Sequence, residues 1–205
     1  MKILVISDSH NVILDSQLEV LKKHGSFDML IHCGDKYKDA ERFANLLDIK
    51  RVSQVPGNCD SIKNKPFIIE EIIEGKKLLI THGHLHNVKT SIVELKLHAE
   101  EVNADVAIYG HTHCPQNEVI NNILYFNPGS TIFPRCGNET FGILEITKEK
   151  IEGHIVSLEK WYETANIEIF MFYMAVKKFL LNLYYIKCLY IVKISSKVIL
   201  LDILI

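Results

Sequence analysis

Five short apolar segments of the sequence each end in a cluster of residue types that bind metal ions. The clusters are Asp8-Ser9-His10 after KILVIS, Gly34-Asp35 after MLIHC, Gly57-Asn58-Cys59-Asp60 after RVSQV, Thr81-His82-Gly83-His84 after KLLI, and Gly110-His111-Thr112-His113 after DVAIY. In open α/β sheets the carboxyl ends of the strands meet at one edge, where ligands bind, so these clusters are expected to converge. The sequence therefore predicts one site rather than five.

The spacing inside two of the clusters favours shared coordination of an ion. Asp8 and His10 are two residues apart, as are His111 and His113, and such pairs project to the same side of an extended segment. A mixed set of His, Asp and Asn donors suits Mn²⁺, Fe²⁺, Ni²⁺ or Zn²⁺. The absence of clustered cysteines argues against a structural thiolate site. The pattern therefore predicts a metal centre with nitrogen and oxygen donors.

Strands alternate with helices over the first two thirds of the chain. Apolar, β-branched runs predict the strands KILVIS, MLIHC, RVSQV, KLLIT, DVAIY and NILYF. Helical spacing of apolar residues predicts helices over 12–23, 40–47 and 91–102. TFGILEIT and KIEGHIVSLEK are predicted to form a closing hairpin of a second sheet. The alternation indicates an α/β protein.

The ordered series of motifs resembles a known family. D-x-H, G-D, G-N-C-D, H-G-H and G-H-T-H, followed by Asn127-Pro128-Gly129-Ser130, are similar to the motifs of the calcineurin-like metallophosphoesterase superfamily. Within it, the chain resembles the small phosphodiesterase branch related to the retromer scaffold subunit. The resemblance covers roughly residues 1 to 160. It implies a four-layer α/β/β/α sandwich of two mixed sheets with helices outside.

The same resemblance implies a role for each residue of the site. Two divalent ions would be held by Asp8, His10 and His113 for the first, by Asn58, His82 and His111 for the second, and by Asp35 for both. Mn²⁺ is the expected ion, with Ni²⁺, Zn²⁺, Fe²⁺ and Mg²⁺ as alternatives. Two such ions lower the pKa of a shared water, and the resulting bridging hydroxide would hydrolyse a phosphoester.

One position departs from many phosphatases of the superfamily. Cys59 follows Asn58 where those enzymes have a histidine that protonates the leaving group. A neutral thiol is a poor general acid, so that proton is expected to come from water or from His84, or to be unnecessary for good leaving groups. The catalytic residues are therefore predicted to be Asp35, Asn58 and His84, with a preference for diesters or activated esters. Asp60 is predicted to orient a ligand histidine.

The expected substrate is a small phosphodiester or a nucleotide-like molecule. Asn58, Ser130 and Arg135 are predicted to contact its phosphate, although a tight turn is an equally simple use of Ser130. An alternative function is a non-catalytic, protein-binding scaffold with the same fold. Scaffold relatives tend to lose site histidines, whereas this chain has every position of the ligand set, so the enzyme is favoured.

The remaining histidines are assigned to structural or surface positions. His32 lies inside an apolar run and is predicted to be a hydrogen-bonded core residue. His86 is predicted to face solvent or to cap a turn. His24, His98 and His154 have no partner pattern and are predicted to lie at the surface.

Composition restricts the partners and the compartment. The net charge of −2 and the lack of an arginine-rich stretch argue against a nucleic-acid polymer as partner. The five cysteines are odd in number and scattered, which predicts reduced thiols. No secretion signal is recognised, so the cytoplasm is the expected compartment. A homo-oligomer is left open.

The chain is predicted to divide into a phosphoesterase domain at 1–163 and an apolar, Lys-containing extension at 164–205. Lysines interrupt the extension, so no uncharged stretch reaches the roughly 18 residues of a membrane-spanning helix. Three alternatives remain for it: a helix that docks on the domain or on a second subunit, an amphipathic surface anchor, or an extension without selected function. The unusual composition favours the last.

Overall fold

The computed structural model describes residues 1–62 and 64–158. In this part of the chain, ten strands, three α-helices and one 3₁₀ helix follow one another. The strands are β1 (Lys2–Ile6), β2 (Met29–His32), β3 (Arg51–Gln54), β4 (Ile68–Ile73), β5 (Lys76–Thr81), β6 (Val106–Ile108), β7 (Gln116–Ile120), β8 (Ile123–Asn127), β9 (Thr140–Ile146) and β10 (Ile151–Ser157). The helices are α1 (Asp15–Lys23), α2 (Asp39–Leu46), the 3₁₀ helix (His84–His86) and α3 (Val93–Glu101).

The strands form two mixed sheets of five strands each. The first sheet has the order β10-β9-β1-β2-β3, in which β1, β2 and β3 are parallel and β9 is antiparallel to both β1 and β10. The second has the order β4-β5-β6-β8-β7, with β5, β6 and β8 parallel and an antiparallel strand at each edge. The parallel pairs β1-β2, β2-β3 and β5-β6 are each connected through a helix as β-α-β units, as the alternating pattern predicts, whereas β6 and β8 are connected through the edge strand β7.

The two sheets pack face to face through a buried apolar core. Ile3, Met29 and Ile31 of the first sheet lie in one cluster with Ile108 and Phe126 of the second. Strands with apolar side chains on both faces need cover on both sides, because one face would otherwise be open to water. The inner faces cover each other, and helices cover the outer faces.

The helices complete the layers on the two outer faces. Leu95 of α3 packs with Ala107 and Tyr125 of the second sheet. On the other side, Leu21 of α1 and Phe43 of α2 are buried, and α2 contacts β2 and β3. The expected four-layer α/β/β/α sandwich is therefore confirmed.

Two strands and the position of one hairpin differ from the sequence analysis. The strands β4 and β7 were not predicted, because both are edge strands with exposed apolar residues such as Ile72 and Val119 and with polar residues where an alternating pattern would require apolar ones. The predicted closing hairpin exists as β9 and β10, but its assignment to a second sheet is wrong. Because β9 pairs with β1, the hairpin extends the first sheet.

The extension predicted at 164–205, and the predicted domain boundary at 163, lie outside the described residues. Among residues 1–62 and 64–158, no helix has the length and apolar character needed to cross a bilayer.

Packing between the sheets depends on a close approach of Phe126 to the glycines of the hairpin. A Cβ atom added at Gly142 would lie 2.4 Å from Phe126 Cε1, and one added at Gly153 would lie 2.7 Å from Phe126 Cε2. These separations are well below a carbon–carbon contact distance, so the aromatic ring occupies the space that side chains would fill.

We expect Gly142→Ala to lower the free energy of unfolding by about 2 kcal/mol, because overpacking a filled core forces side chains off their rotamers. Urea unfolding measures this. Phe126→Leu removes the clashing ring atoms, so the double variant should lose less stability than the sum of the two single variants. If the double variant instead lost as much stability as the sum of the two single variants, the contact between Gly142 and the Phe126 ring would be contradicted.

Candidate metal centre

Donor atoms from three loops converge in a first group, called here cluster 1. Asp8, His10, Asp35 and His113 each offer a ligand atom, and these atoms all lie within 4.8 Å of one another. The Nε2 atoms of His10 and His113 are 3.4 Å apart, and His113 Nε2 lies 3.1 Å from Asp8 Oδ1. The loops follow β1, β2 and β6, so cluster 1 draws on both sheets.

A second group, called here cluster 2, shares one carboxylate with the first. Asp35, His82 and His111 offer ligand atoms within 4.8 Å of one another. His82 Nε2 lies 3.4 Å from Asp35 Oδ1 and 3.2 Å from the amide oxygen of Asn58. The five motif loops therefore meet at one place, as the sequence predicts, and Asp35 lies where the clusters join.

In cluster 1, Asp8 Oδ1 and His113 Nε2 face each other as two hydrogen-bond acceptors. Among the described residues, Asp8 Oδ1 is a buried oxygen with no hydrogen-bond partner. His113 Nδ1 is hydrogen-bonded to the carbonyl oxygen of Phe133 at 2.6 Å, which requires the Nδ1 proton and turns the Nε2 lone pair toward Asp8. Two acceptors 3.1 Å apart need a cation between them, either a proton or a metal ion. The residues therefore fit a bound cation.

Cluster 2 shows the same use of a backbone carbonyl. His82 is fully buried, and its Nδ1 lies 2.6 Å from the carbonyl oxygen of Cys33. A carbonyl can only accept, so the proton is on Nδ1 and Nε2 is free to bind an ion. His111 Nδ1, also buried, has no hydrogen-bond partner in the described part of the chain. The arrangement is typical of metal-binding imidazoles, whose second nitrogen fixes the ring orientation.

The backbone at the site is held in an unfavourable conformation. Five of the seven predicted ligands have positive φ, between 49° and 67°: Asp8, His10, Asp35, His111 and His113. Residues with a Cβ atom seldom adopt this region, and each costs of order 1–3 kcal/mol when its surroundings impose it. The surrounding fold imposes this backbone at each loop, and strain of this kind is concentrated at functional sites.

Two glycines let the loops approach one another. A Cβ atom at Gly57 would lie 2.1 Å from Asp35 Oδ1, and one at Gly110 would lie 1.8 Å from Ser7 Oγ and 2.7 Å from Asp8 Oδ2. Each glycine therefore occupies a place where the backbone of one loop touches the carboxylate of another.

Hydrogen bonds and neighbouring histidines keep both carboxylates ionised in spite of their burial. Burial alone would raise the pKa of Asp8, but His113, His82 and the Ser7 hydroxyl outweigh it, and the pKa of Asp8 is lowered well below its ordinary value. Burial likewise opposes ionisation of Asp35, whose pKa is lowered by His82 and by the backbone N–H of Cys59. Ionised, buried carboxylates are strong ligands for a divalent ion.

The histidines differ in the direction in which their pKa values move. Burial lowers the pKa of His10 and brings that of His111 to about 4, so both rings are neutral at pH 7 and able to bind an ion. For His113, burial acts the same way, but Asp8 outweighs it and the pKa is raised. Ion binding at cluster 1 therefore competes with the proton that Asp8 favours on His113, and it weakens as the pH falls.

The converging donors and the fold agree with a match to a known family. A family model described as the calcineurin-like phosphoesterase superfamily domain matches residues 1–149. The chain belongs to the calcineurin-like phosphoesterase superfamily. It is a phosphoesterase, a hydrolase of a family that uses divalent metal ions.

Individual members of the superfamily resemble the chain over most of its length. The probable metallophosphoesterase YsnB of Bacillus subtilis is 33% identical over 172 residues, which cover 82% of this chain and 95% of the relative. A phosphodiesterase of Methanocaldococcus jannaschii is 29% identical over 173 residues, covering 73% and 96%. The crystal structure of Vps29 with Zn²⁺ from Entamoeba histolytica has a TM-score of 0.60 at 19% identity, covering 78% and 100%. This last likeness shows the fold alone.

A buried network that the motifs did not reveal supports the first motif of this phosphoesterase. The Gly34 N–H donates to His32 Nδ1, His32 Nε2 lies 3.0 Å from Ser9 Oγ, and the Ser9 hydroxyl donates to Asp39 Oδ2 at 2.8 Å. Asp39 also accepts from the Asn11 N–H. The network fixes the loop that carries Asp8 and His10. The prediction that His32 is a hydrogen-bonded core residue is confirmed, and burial lowers its pKa to about 4.

His84, predicted as a proton donor to the leaving group, and Cys59, predicted to be a poor one, both lie beside cluster 2. The His84 ring centre is 5.3 Å from that of His82 and 6.1 Å from that of His111, and its edge contacts Phe67. Burial and His82 lower the pKa of His84. Burial, followed by Asp35, raises the pKa of the Cys59 thiol to about 12, so this thiol is neutral at pH 7.

Three other expectations are corrected by the contacts. The predicted contact of Ser130 with a substrate is not supported, because its hydroxyl is fully buried and donates to the Asp8 carbonyl oxygen at 2.8 Å. Asp60 was expected to orient a ligand histidine, but within the described residues its carboxylate accepts from the backbone N–H groups of Gly57 and Tyr37. His86 was expected to face solvent or to cap a turn; it ends the 3₁₀ helix and is buried, with Nε2 2.8 Å from His98 Nδ1. The sequence spacing of the last pair gives no sign that a helix packs against the loop.

The expectation of five reduced thiols is wrong for two of them. Cys114 and Cys136 form a disulfide with Cα atoms 4.9 Å apart, while Cys33 and Cys59 are free. Cys188 lies outside the described residues. The two cysteines are 22 residues apart in the sequence, and only the fold brings their loops together. No spacing rule could have paired them.

Three basic side chains act on the charges of the two clusters or on one another. Lys36, half-buried, donates to the carbonyl oxygen of Cys59, and it adds to the effect of burial in lowering the pKa of His10. Burial and His82, followed by Lys89, lower the pKa of His111, and burial followed by Arg135 lowers that of Lys89. Arg135 had been predicted from the sequence as a phosphate contact, whereas Lys36 and Lys89 had not, because isolated lysines in loops carry no pattern. These three residues are called the basic rim below.

The His32 network should make stability depend on pH. The pKa of His32 is about 4 in the folded chain and about 6.5 in an unfolded one, so the unfolded state binds more protons between these values. Stability should therefore fall as the pH decreases through this window, and rise again on return to pH 7.

We expect protonation of His32 to lower the free energy of unfolding by about 2 kcal/mol between about pH 7 and about pH 4.5. His32→Gln keeps a donor and an acceptor at the site but does not titrate, so its free energy of unfolding should fall by about 2 kcal/mol less than that of the natural chain over the same range. Urea unfolding of metal-free protein at both pH values measures the difference. If the free energy of unfolding changed with pH equally in the two proteins, His32 would not be the source of the pH dependence.

Proposed function

We propose that the chain hydrolyses small phosphodiesters, including nucleotide-like ones, with two divalent ions held by cluster 1 and cluster 2. The observation that carries this proposal is the Asp35 carboxylate, which belongs to both groups of converging donors. In two-metal hydrolases a pair of adjacent ions acts on the attacking and the leaving oxygen of one phosphoryl group. A relative of similar length that is named a phosphodiesterase supports the diester as substrate.

Each cluster offers four donors to one ion, when Asn58 is counted with the second. The first ion would be held by Asp8, His10, Asp35 and His113, and the second by Asp35, Asn58, His82 and His111. Carboxylate and imidazole donors together suit Mn²⁺, which we propose as the ion, with Zn²⁺, Ni²⁺, Fe²⁺ and Mg²⁺ as alternatives. The complex of Vps29 with Zn²⁺ supports the presence of a divalent ion in this fold.

The two bound ions would lower the pKa of a shared water and neutralise charge on the phosphoryl oxygens. The chain keeps the donors in place before any substrate arrives. The Phe133 and Cys33 carbonyl oxygens hold the rings of His113 and His82 with Nε2 toward the ions. The Cys59 N–H does the same for the Asp35 carboxylate. Such preorganisation avoids reorganisation of the site during the reaction.

The basic rim would bind the negative charge of the substrate phosphate. A phosphodiester carries one negative charge, and a lysine or arginine beside the ions can form a charge-assisted hydrogen bond to a non-bridging oxygen. Lys89 suits this role because it is exposed, and because its pKa, lowered by burial and Arg135, is raised by Asp8 and Asp35 of cluster 1. Asn58, also exposed, can donate from its amide nitrogen to the same phosphate.

Protonation of the leaving group is the weak point of the site. The Cys59 thiol is too weak an acid, and the lowered pKa of His84 leaves its ring neutral at pH 7. A neutral imidazole is a poorer proton donor than an imidazolium ion. We therefore propose that turnover favours esters with good leaving groups, and that water or His84 supplies the proton for the others.

A non-catalytic scaffold is the alternative function, and no observation on the site favours it. The likeness to Vps29 concerns the fold, at 19% identity. The compartment and the exclusion of a nucleic-acid polymer as partner also stay predictions from composition, and we propose a cytoplasmic enzyme acting on small molecules.

The proposal is tested by hydrolysis of bis-p-nitrophenyl phosphate by metal-stripped protein to which Mn²⁺, Zn²⁺, Ni²⁺ or Mg²⁺ is restored. We expect metal-dependent turnover that falls at least about 100-fold in Asp35→Asn, because loss of partners one step further from a metal already costs 10–100-fold. Asp35 has positive φ, which asparagine tolerates, so the variant should fold.

Asp48→Asn is the matched control, since Asp48 also has positive φ but is exposed and pairs with Lys50 away from the site. Its activity should equal that of the natural chain. No turnover with any ion, in folded protein that binds metal, would instead favour the scaffold.

The basic rim makes a separate prediction about KM. Lys89→Gln should raise KM for bis-p-nitrophenyl phosphate about tenfold with a smaller effect on kcat, because a hydrogen bond from a charged group to the phosphate is worth about 1.5 kcal/mol or more. Lys50→Gln removes an exposed lysine elsewhere and should leave both constants unchanged. An unchanged KM for Lys89→Gln would show that this lysine does not touch the substrate.

A further inference from the structure

A disulfide lies directly beside cluster 1. Cys114 is the residue after the ligand His113, and Cys136 is the residue after Arg135 of the basic rim. The bond therefore joins the loop that follows β6 to the segment between Ser130 and β9. Nothing in the reaction of the phosphoesterase uses these sulfur atoms.

The two segments joined by the disulfide also meet through His113 itself. His113 Nδ1 donates to the carbonyl oxygen of Phe133 at 2.6 Å, and the Arg135 N–H donates to the carbonyl oxygen of His113 at 3.0 Å. The first of these hydrogen bonds determines which way the His113 ring points. The disulfide thus holds in place the segment that orients a predicted ligand of cluster 1.

The second segment begins with buried residues, among them Thr131 and Ile132, and becomes exposed at the disulfide. Arg135, Cys136 and Gly137 are all exposed, and a Cβ atom added at Gly137 would have no neighbour within 4 Å in the described part of the chain. Hydrogen bonds of exposed backbone exchange readily with water, whereas a covalent bond does not. The disulfide is therefore the covalent tie between this exposed part and the His113 loop, and it acts together with the hydrogen bond by which the Phe133 N–H donates to Ser130 Oγ at 3.0 Å.

The position of the sulfur atoms also permits reaction with a small reagent. Cys136 is exposed, Cys114 and the free Cys59 are half-buried, and Cys33 is fully buried. Exposed disulfides are the ones that take part in exchange, and a cytoplasmic protein would meet both small thiols and small disulfides.

We propose that Cys114 and Cys136 are a reversible redox modification site, and that formation of their disulfide tightens ion binding at cluster 1. The part that concerns the ion rests on the proposed function, while the part that concerns the sulfur chemistry does not. The reagent is a low-molecular-weight disulfide of the glutathione type.

The exchange is balanced in two steps. The sulfur of one cysteine loses its proton and attacks a sulfur of the small disulfide, which releases one small thiol and leaves a mixed disulfide. The second cysteine then attacks the sulfur of the first, and a second small thiol leaves. Two protein thiols are oxidised to one disulfide, and one small disulfide is reduced to two thiols. An excess of small thiol reverses both steps.

The effect should be confined to one of the two ions. The orienting partner of His82 in cluster 2 is the Cys33 carbonyl, which belongs to the sheet end and has no connection with the disulfide. Loss of an orienting partner lowers metal affinity 10–100-fold. We expect reduction of the disulfide to weaken one Mn²⁺ site about tenfold and to leave the other within about twofold.

The experiment uses the full chain, stripped of metal and prepared in two states. One sample is treated with oxidised glutathione and the other with a reductant, and each reagent is removed by gel filtration without oxygen. Alkylation followed by mass spectrometry identifies the cysteines that remain as thiols. Calorimetric titration with Mn²⁺ then gives the affinity of each ion site. Support requires that Cys114 and Cys136 alone become protected on oxidation and that one site alone becomes tighter.

The double variant Cys114→Ser/Cys136→Ser is the matched control, and the single variant Cys136→Ser provides a second one if the first folds poorly, as circular dichroism will show. Both variants should bind Mn²⁺ with the affinity of the reduced chain, and neither reagent should change that affinity. The proposed redox site would be refuted if Cys114 and Cys136 still reacted with the alkylating reagent after oxidation. A mixed disulfide that persisted would refute it as well. Equal affinities in two verified redox states would overturn its effect on the ion. Failure of both states to bind any Mn²⁺ counts against the proposed function as well, and the alkylation pattern still decides the sulfur chemistry.

Discussion

The carboxylates of Asp8 and Asp35 are buried and ionised, and they lie among imidazole nitrogens whose lone pairs point the same way. Acceptors at such distances repel one another unless a positive charge lies between them, and burial strengthens the repulsion because water is excluded. The requirement for a cation at this point therefore governs the rest of the structure. Parallel strands of two sheets bring the loops to one end of the sandwich, and backbone carbonyls fix the rings.

This requirement explains several features that would be unfavourable elsewhere. Positive φ at Asp8 and His113 stores strain, yet it aims both side chains into the same small volume. Gly57 lets the backbone of its loop approach the Asp35 carboxylate directly. The network through His32 and Ser9 places polar groups in the core, at a position where an apolar residue would pack more simply, because the loop behind Asp8 must not move.

The sequence was most informative where the chemistry is repeated in order along the chain. The metal-ligand types stand at strand ends, so the convergence of His82 with Asp35, 47 positions apart, could be expected from topology alone. Features that depend on a single contact between distant loops could not be expected. The bond between Cys114 and Cys136 and the pairing of His86 with His98 have no periodic signal, and the edge strand β4 lacks the apolar alternation by which strands are recognised.

Residue type and order by themselves therefore indicated an α/β protein and the candidate ligands, because strand patterns and metal chemistry are both properties of local sequence. The sandwich followed from the resemblance of the ordered motifs to the superfamily. Only the tertiary structure decided how these residues act. It made Ser130 a support for Asp8 rather than a substrate contact, and it set Lys36 and Lys89 beside the clusters. Burial, hydrogen-bond partners and electrostatic neighbours are fixed by residues far apart in the chain, and they appear when the two sheets pack against each other.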